Sequence, residues 1–360
     1  MESNQKKVSV VLTTYNAKER LIMALTSYKY QRYPKEKFEI VVVDDGSTDG
    51  TYEHINALSF DINLKLVRSD KNLGRAAARN RGITEAAGEI IIFSDSDMIA
   101  DPFFIEKHVQ HHDEHDNVFV GGCFWNRIDK NYDYEKNIYN PPIKTEDVET
   151  GSVFQETSRQ IFADFYEQFL SYFGNELEGF QFPWMYFVVM NCSVKSIHLK
   201  EAGLFDEQLQ GYGGEDEEMG YRLWKRGLKG IVDPTIKNFH QEHARSNKQR
   251  NESAQNINYI IQKHQDINLI MYYYINFVNQ LSKSKLLRDI QRAFEEEIIS
   301  PSFHQECLNE IFHYWKKPQK RNRKDRVHRY FIKEIRSLNR TDQYRQLAFF
   351  LNRLVLNNRR

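Results

Sequence analysis

Two carboxylates separated by one serine, Asp95-Ser96-Asp97, follow the apolar run Ile90-Ile91-Ile92-Phe93. Carboxylates at the end of a buried strand are costly to desolvate and call for a cation. An oxygen-rich, partly solvated pair suits Mg2+ or Mn2+, ions that commonly bridge a diphosphate. The plainer alternative is a solvated turn with Asp95 as a cap. A second acidic pair lies in Asp44-Asp45-Gly46-Ser47, after another apolar run. Its glycine permits close backbone approach, and a carboxylate there can accept from a base N–H or a ribose hydroxyl. An Asx turn leading into a helix would use the same residues. The third cluster is Gly213-Gly214-Glu215-Asp216-Glu217-Glu218. Acids at a helix start gain from the helix dipole, and one carboxylate in a glycine-flanked loop can serve as a general base. The two roles are compatible. His240 and His243, in Phe239-His240-Gln241-Glu242-His243, become ligand candidates if a metal needs a further donor. Arg75, Arg79 and Arg81 can meet phosphates or line a helix surface.

These clusters need elements to hold them. Val8–Leu12, Phe38–Val43, Leu64–Val67 and Glu89–Phe93 read as buried strands. Between them lie helical patterns over Asn16–Tyr30, from Thr48 or Asp49 to Leu58, and over Arg75–Ala87. Strands alternating with helices argue a parallel, doubly wound sheet, whose ligands sit beyond the carboxyl ends of the strands. Those ends carry Thr13-Thr14-Tyr15, Asp44-Asp45 and Asp95-Ser96-Asp97. Further on, Val118–Phe124 and Met185–Val194 read as strands, Asn126–Thr150 as a polar loop and Arg159–Phe173 as a helix. Glu215–Arg226 reads as a helix stopped by Gly227, followed by short strands at Gly230–Asp233 and Ile236–His240. From about Asn256 the pattern is helical, with amphipathic segments near 256–281, 286–299, 303–315 and 327–356. A boundary near residue 250 follows.

At 360 residues, 40% hydrophobic and 28% charged, the chain can bury a large core, which excludes a disordered or collagen-like protein. Cys123, Cys192 and Cys307 form no CxxC spacing and read as buried thiols in a reducing compartment. The polar start reads as no signal peptide, and no window offers the roughly 18 to 20 apolar residues of a membrane helix. The expectation is a cytoplasmic protein, soluble or attached peripherally at the inner face of the cell membrane. The formal charge is zero but unevenly spread. Lys316–Arg360 holds 15 Lys and Arg against 3 acids, leaving 35 basic and 47 acidic residues before it. Such a tail suits a basic docking surface for a membrane or protein, and equally a helical bundle that buttresses the rest or forms a homodimer. No nucleic-acid motif accompanies it.

Val8–Asn16 (VSVVLTTYN), Val41–Thr51 (VVVDDGSTDGT), Asn72–Gly82 (NLGRAAARNRG) and Ile92–Met98 (IFSDSDM) resemble the donor half of the family 2 glycosyltransferases with the GT-A fold. Ala202–Gly227 (AGLFDEQLQGYGGEDEEMGYRLWKRG) resembles their acceptor half with its Glu-Asp motif. The flavour is that of bacterial chondroitin-synthase-like and galactosyltransferase-like members, where GGED and a later HQE recur. The resemblance ends near residue 265.

The resemblance implies a Rossmann-like, mixed and mostly parallel sheet flanked by helices over 1–250, with a helical, basic extension over 251–360. Residues 1–112 would form the nucleotide-sugar donor half and 113–250 the acceptor half. Asp45 would recognise uracil, with Thr13, Tyr15 and Arg75 lining the nucleotide pocket. Asp97 would hold Mn2+ or Mg2+, Asp95 would contact the ribose or the metal's waters, and His240 would be a further ligand. Asp216 would be the catalytic base, Glu215 would hold sugar hydroxyls, and Trp184 or Tyr186 would stack on a sugar face. The implied reaction is inverting transfer from a UDP-sugar to a hydroxyl acceptor, giving a β-glycoside. Competing readings have clear marks against them. A nucleotidyltransferase would carry a glycine-rich phosphate loop after the first strand, where Thr-Thr-Tyr-Asn stands. A processive synthase would carry membrane helices and a QxxRW motif. A catalytically inactive glycan- or nucleotide-binding scaffold would not need Asp45, Asp97, Asp216 and His240 together.

Overall fold

The computed structural model describes residues 7–127, 132–133, 138–139, 142–155, 158–160, 170–171, 173–178, 180, 182–243, 249–264, 266 and 269. The chain divides into two compact units, one of Met1–Tyr166, Gly174–Glu178 and Pro183–Asn256, the other of Glu167–Phe173, Gly179–Phe182 and Ile257–Arg360. The first unit opens with β1 (Val8–Thr14), α1 (Lys18–Tyr28), β2 (Phe38–Asp44), α2 (Thr51–Ala57), β3 (Leu64–Arg68), α3 (Arg75–Glu85) and β4 (Ile90–Asp95). It continues through β5 (Met98–Ala100), α4 (Phe104–Glu114), β6 (Val118–Arg127), β7 (Tyr132–Asp133), β8 (Ile138–Tyr139), α5 (Thr145–Glu149) and β9 (Ser158–Gln160). Then come β10 (Cys192–Lys195), α6 (Ser196–Glu201), α7 (Glu215–Lys225) and β11 (Lys229–His240), and α8 spans Gln249–His264.

One nine-stranded sheet, ordered β3-β2-β1-β4-β10-β6-β11-β5 with β9 added to β6, organises the unit. Strands β3, β2, β1 and β4 run parallel, and β11 runs parallel to β6. Strand β10 is antiparallel to both β4 and β6, so those six strands share one direction. The sheet is therefore mixed and mostly parallel. Its two faces explain the unbroken apolar runs. Val8, Val10 and Leu12 pack with Leu21, Leu25 and Tyr28 of α1 and Phe104 and Ile105 of α4. Val11, Val41 and Ile91 pack with Ala76, Ala78 and Ile83 of α3. Both faces of the central strands are dry, so alternation disappears from the sequence. Each fully buried Val, Leu, Ile or Phe contributes about 1.5–3 kcal/mol by leaving water.

Several sequence expectations change at their edges. Asn126–Thr150 is not one loop, since β6 runs to Arg127 and the short elements β7, β8 and α5 fall within it. Arg159 and Gln160, expected in a helix, pair as β9 with Trp125 and Asn126; residues 161–169 and 172 of that expectation lie outside the described residues. Within Met185–Val194 only the end is strand, because Pro183–Tyr186 forms a 3-10 turn and β10 starts at Cys192. Gly230–Asp233 and Ile236–His240 are one strand with a register shift between Val232 and Lys237. The cap position before α2 is Gly50, while Asp49 Oδ1 accepts from Thr51 N at 3.0 Å. The helical segments expected near 286–299, 303–315 and 327–356, with the basic tail and its docking role, lie outside the described residues. No helix among the described residues is long and apolar enough to cross a membrane.

Candidate active site

The sheet register gathers the first two acidic clusters. Thr14 pairs with Asp44 and Thr13 with Asp95, so the carboxyl ends of β2, β1 and β4 lie side by side. Asp45, immediately after β2, is buried; its Oδ1 and Oδ2 accept from the backbone N–H groups of Leu73 and Gly74, each at 2.9 Å. Burial pushes its carboxyl up, against the pull of those two donors. Gly46 adopts φ +76°, and a Cβ there would stand 2.6 Å from the backbone of Lys71. Only glycine lets the two loops approach so closely. Asp45 thus fixes the loop at the start of α3 and keeps acceptor capacity on both oxygens for a further donor.

Strand β5 brings the histidines to the Asp95-Ser96-Asp97 turn. It pairs antiparallel with β11, matching His240 with Met98, and Gln241 N donates to Asp97 O at 2.9 Å. His243 Nε2 then lies 3.1 Å, and His240 Nε2 3.7 Å, from Asp97 Oδ2. One donor atom from each of Asp97, His240 and His243 falls within 4.8 Å of the others. Burial pushes the Asp97 carboxyl up, but the His243 contact and the charges of His240, His243 and Arg20 outweigh it and hold it low. Its Oδ1 is buried with no hydrogen-bond partner. An orphaned carboxylate oxygen beside two imidazoles is a donor set that fits a divalent cation. Glu242 lies 3.4 Å from His240 Nδ1 and accepts from Asn126 Nδ2.

The third cluster sits at the start of α7. Gly214 precedes the helix at φ +98°, a left-handed turn that L-residues rarely take. The four acids after it have different surroundings. Glu215 is buried and paired with Arg79 Nη1 at 2.8 Å; burial lifts its carboxyl, but Arg79 and Arg75 bring it below the usual range. Asp216 is pushed up by burial and by the charge of Glu215. Glu217 lies well above the usual range, through burial and then Asp216. Glu218 is fully buried in a two-pronged ion pair with Arg222, whose other donors reach Leu204 O and Ala202 O. Neighbouring acids with opposed shifts are the pattern expected of a proton-accepting site.

Arg79 connects this cluster to β4, since its Nη2 lies 3.8 Å from Asp95 Oδ1. Burial lifts the Asp95 carboxyl, against the pull of Arg79. Arg75, the first residue of α3, stacks its guanidinium 4.8 Å over the ring of Tyr212. Tyr15 is 48% exposed beyond β1. Trp184 and Tyr186 are buried, and Trp184 packs with Tyr221 and Trp224 at ring distances of 5.5 and 4.7 Å, so these residues are core. The sequence offers His240 and His243 as alternatives; the fold brings both to Asp97. Arg79 has no distinctive sequence signal, because a helix of Arg and Ala leaves open which arginine faces inward.

The family model for glycosyl transferase family 2 matches residues 9–169. The chain is 33% identical over 315 residues to the uncharacterized glycosyltransferase YfnE of Bacillus subtilis, covering 81% of this chain and 79% of that one. It is 27% identical over 243 residues to the chondroitin synthase of Escherichia coli, covering 65% of this chain and 34% of that longer protein. Among solved structures, S. aureus TarS 1-349 in complex with UDP-GlcNAc aligns with a TM-score of 0.53 at 16% identity, over 86% of this chain and 87% of that one. Extended identity to YfnE, the sheet order and the shared architecture lead to one conclusion: the chain belongs to glycosyltransferase family 2 and has the GT-A fold.

Proposed function

We propose that this glycosyltransferase is an inverting, metal-dependent enzyme that moves a hexose-type sugar from a UDP-sugar to a hydroxyl of a surface glycan or lipid-linked sugar. The carrying observation is the cluster of Asp97, His240 and His243, which lies with Asp45 at the carboxyl-end side of the parallel strands; Arg79 links the neighbouring Asp95 to the acids of α7. In this reading Asp97, His240 and His243 would hold the cation, and Asp95 would contact the ribose or the metal's waters. A divalent ion there supplies countercharge for a departing diphosphate. Thr13, Tyr15, Asp45 and Arg75 line the nucleotide pocket, with the Asp45 carboxylate accepting from uracil. The complex of TarS with UDP-GlcNAc supports a nucleotide-sugar donor by analogy of fold.

Asp216 takes the proton from the acceptor hydroxyl as its oxygen bonds to the anomeric carbon. The bond from that carbon to the diphosphate oxygen breaks, and its electron pair leaves with UDP. Attack opposite the leaving group converts an α-linked donor into a β-glycoside. The elevated carboxyl of Asp216 suits a base working near neutral pH. Glu215, kept ionised by Arg79, accepts hydrogen bonds from sugar hydroxyls.

A panel of UDP-glucose, UDP-galactose, their N-acetylated amines and UDP-glucuronate, incubated with Mn2+ and assayed for UDP release, tests this reading. One donor should turn over, chelator should stop it and Asp216→Asn should slow it by about 10²–10⁴-fold. Tight UDP binding with no turnover of any donor would make the chain a binding scaffold instead.

A further inference from the structure

Helix α3 holds the segment that leads into α7 at both ends. At the far end, Arg79 pairs with Glu215 at 2.8 Å. At the near end, the next residue, Asn80, donates through Nδ2 to Phe205 O at 2.9 Å and to Glu207 Oε1 at 2.8 Å. Its Oδ1 accepts from Phe205 N at 2.8 Å. Between them, a Cβ on Gly74 would lie 3.0 Å from Gln210 Oε1, and Arg75 covers Tyr212. Both clasping side chains are buried, and the Arg79 guanidinium also lies 5.6 Å over the Phe205 ring. A buried guanidinium with one strong partner and a second carboxylate at 3.8 Å is expensive to desolvate, and its planar fork fixes direction as well as charge. Asn16, by contrast, bonds to Ser47 and Thr48 in the neighbouring loop. Arg79 alone among the described ion pairs joins β4 to α7.

We infer that Arg79 and Asn80 are positioning residues: together they set the Phe205–Glu215 segment, and with it Asp216, against the donor-side strand ends. The pair acts through Glu215 and the backbone of Phe205, without touching the substrate. The inference rests on the proposed role of the α7 acids. A misplacement of about 1 Å in a reacting group costs about 10²-fold in rate, which sets the expected size of the effect.

The test uses the full chain with Mn2+ and compares Arg79→Met, Arg79→Lys, Asn80→Ala, Glu215→Met and the double variant Arg79→Met/Glu215→Met. Removing both partners together leaves neither half of the 2.8 Å Arg79–Glu215 pair unpaired, so the double variant keeps the fold measurable if Arg79→Met alone unfolds. UDP release from the best donor of the panel should fall about 10²-fold in Arg79→Met, and UDP affinity by calorimetry should stay within about twofold. Arg79→Lys should recover part of the rate, and the double variant should be no slower than the slower single one, as expected for residues acting through each other. UDP affinity falling in step with rate would make Arg79 a phosphate ligand and overturn the inference. So would losses that multiply in the double variant. If no donor turns over in the wild type, the glycosyl-transfer reading fails separately. Amide exchange then decides: exchange over 205–218 about tenfold faster in Asn80→Ala, with β1–β4 unchanged, supports the clasp, and unchanged exchange ends it.

Discussion

His243 reaches the carboxylate of Asp97 across 3.1 Å, tying the chain beyond β11 to the turn that follows β4. With His240 at 3.7 Å from the same oxygen, the site offers two imidazoles and a carboxylate. That mixture favours Mn2+ over Mg2+, which prefers oxygen donors and retained water.

The metal prediction follows directly. Asp97→Ala should eliminate Mn2+ binding in calorimetry, and His240→Ala and His243→Ala should each weaken it by at least about tenfold. Mn2+ should saturate turnover at a lower concentration than Mg2+. A His243→Ala protein with wild-type Mn2+ affinity would remove that residue from the ligand set.

Asp45 grips the backbone at Leu73 and Gly74, and in the proposed function also binds the base. Replacing it with Ala should raise the dissociation constant for UDP about 10- to 100-fold, the scale of one lost hydrogen bond to a charged group. The rate at saturating donor should change much less. Unaltered UDP affinity would leave Asp45 a loop anchor only.

The α7 acids should separate by assay. Asp216→Asn should fold normally and lose about 10²–10⁴ in rate. Glu218→Ala strands Arg222 among Leu204 and Ala202 and should cost about 3 kcal/mol of stability. Chemical denaturation of both variants checks this; an unstable Asp216→Asn or an unperturbed Glu218→Ala would reverse the assignment.

Two histidines of α4 make stability pH-dependent. His108 and His112 share Ser193 Oγ at 2.9 and 2.8 Å, and burial pushes each imidazole down to about 3. Unfolded, each titrates near 6.5, so below that pH the unfolded chain binds protons the folded chain refuses. Stability present above pH 6.5 is therefore lost as the pH falls. The loss is on the order of 2 kcal/mol per imidazole by pH 5. Urea midpoints at pH 7.5 and pH 5 should lie closer together in His112→Gln than in the wild type. Equal separations would contradict buried neutral rings.

The sequence by itself determined the alternation of β1 through β4, because the short runs at Val8–Leu12 and Ile90–Phe93, rich in Val and Ile and separated by helical patterns, read as strands covered on both faces. It also determined that acids end those strands, since Asp44-Asp45 comes straight after Val43 and Asp95 lies one serine beyond Phe93. Short or irregular elements escaped it. Met98–Ala100 is three residues long, and its pairing with Phe239 and His240 arises from backbone hydrogen bonds that leave no periodic trace. Yet that pairing delivers both histidines to Asp97. Trp184 looked suited to stack on a sugar until Tyr221 and Trp224 enclosed it. Which of Arg75, Arg79 and Arg81 turns inward, and which of four consecutive acids becomes a structural ion pair, was decided only in the tertiary structure. Helical position sets a side chain's direction, but the partner waiting there comes from a distant part of the chain.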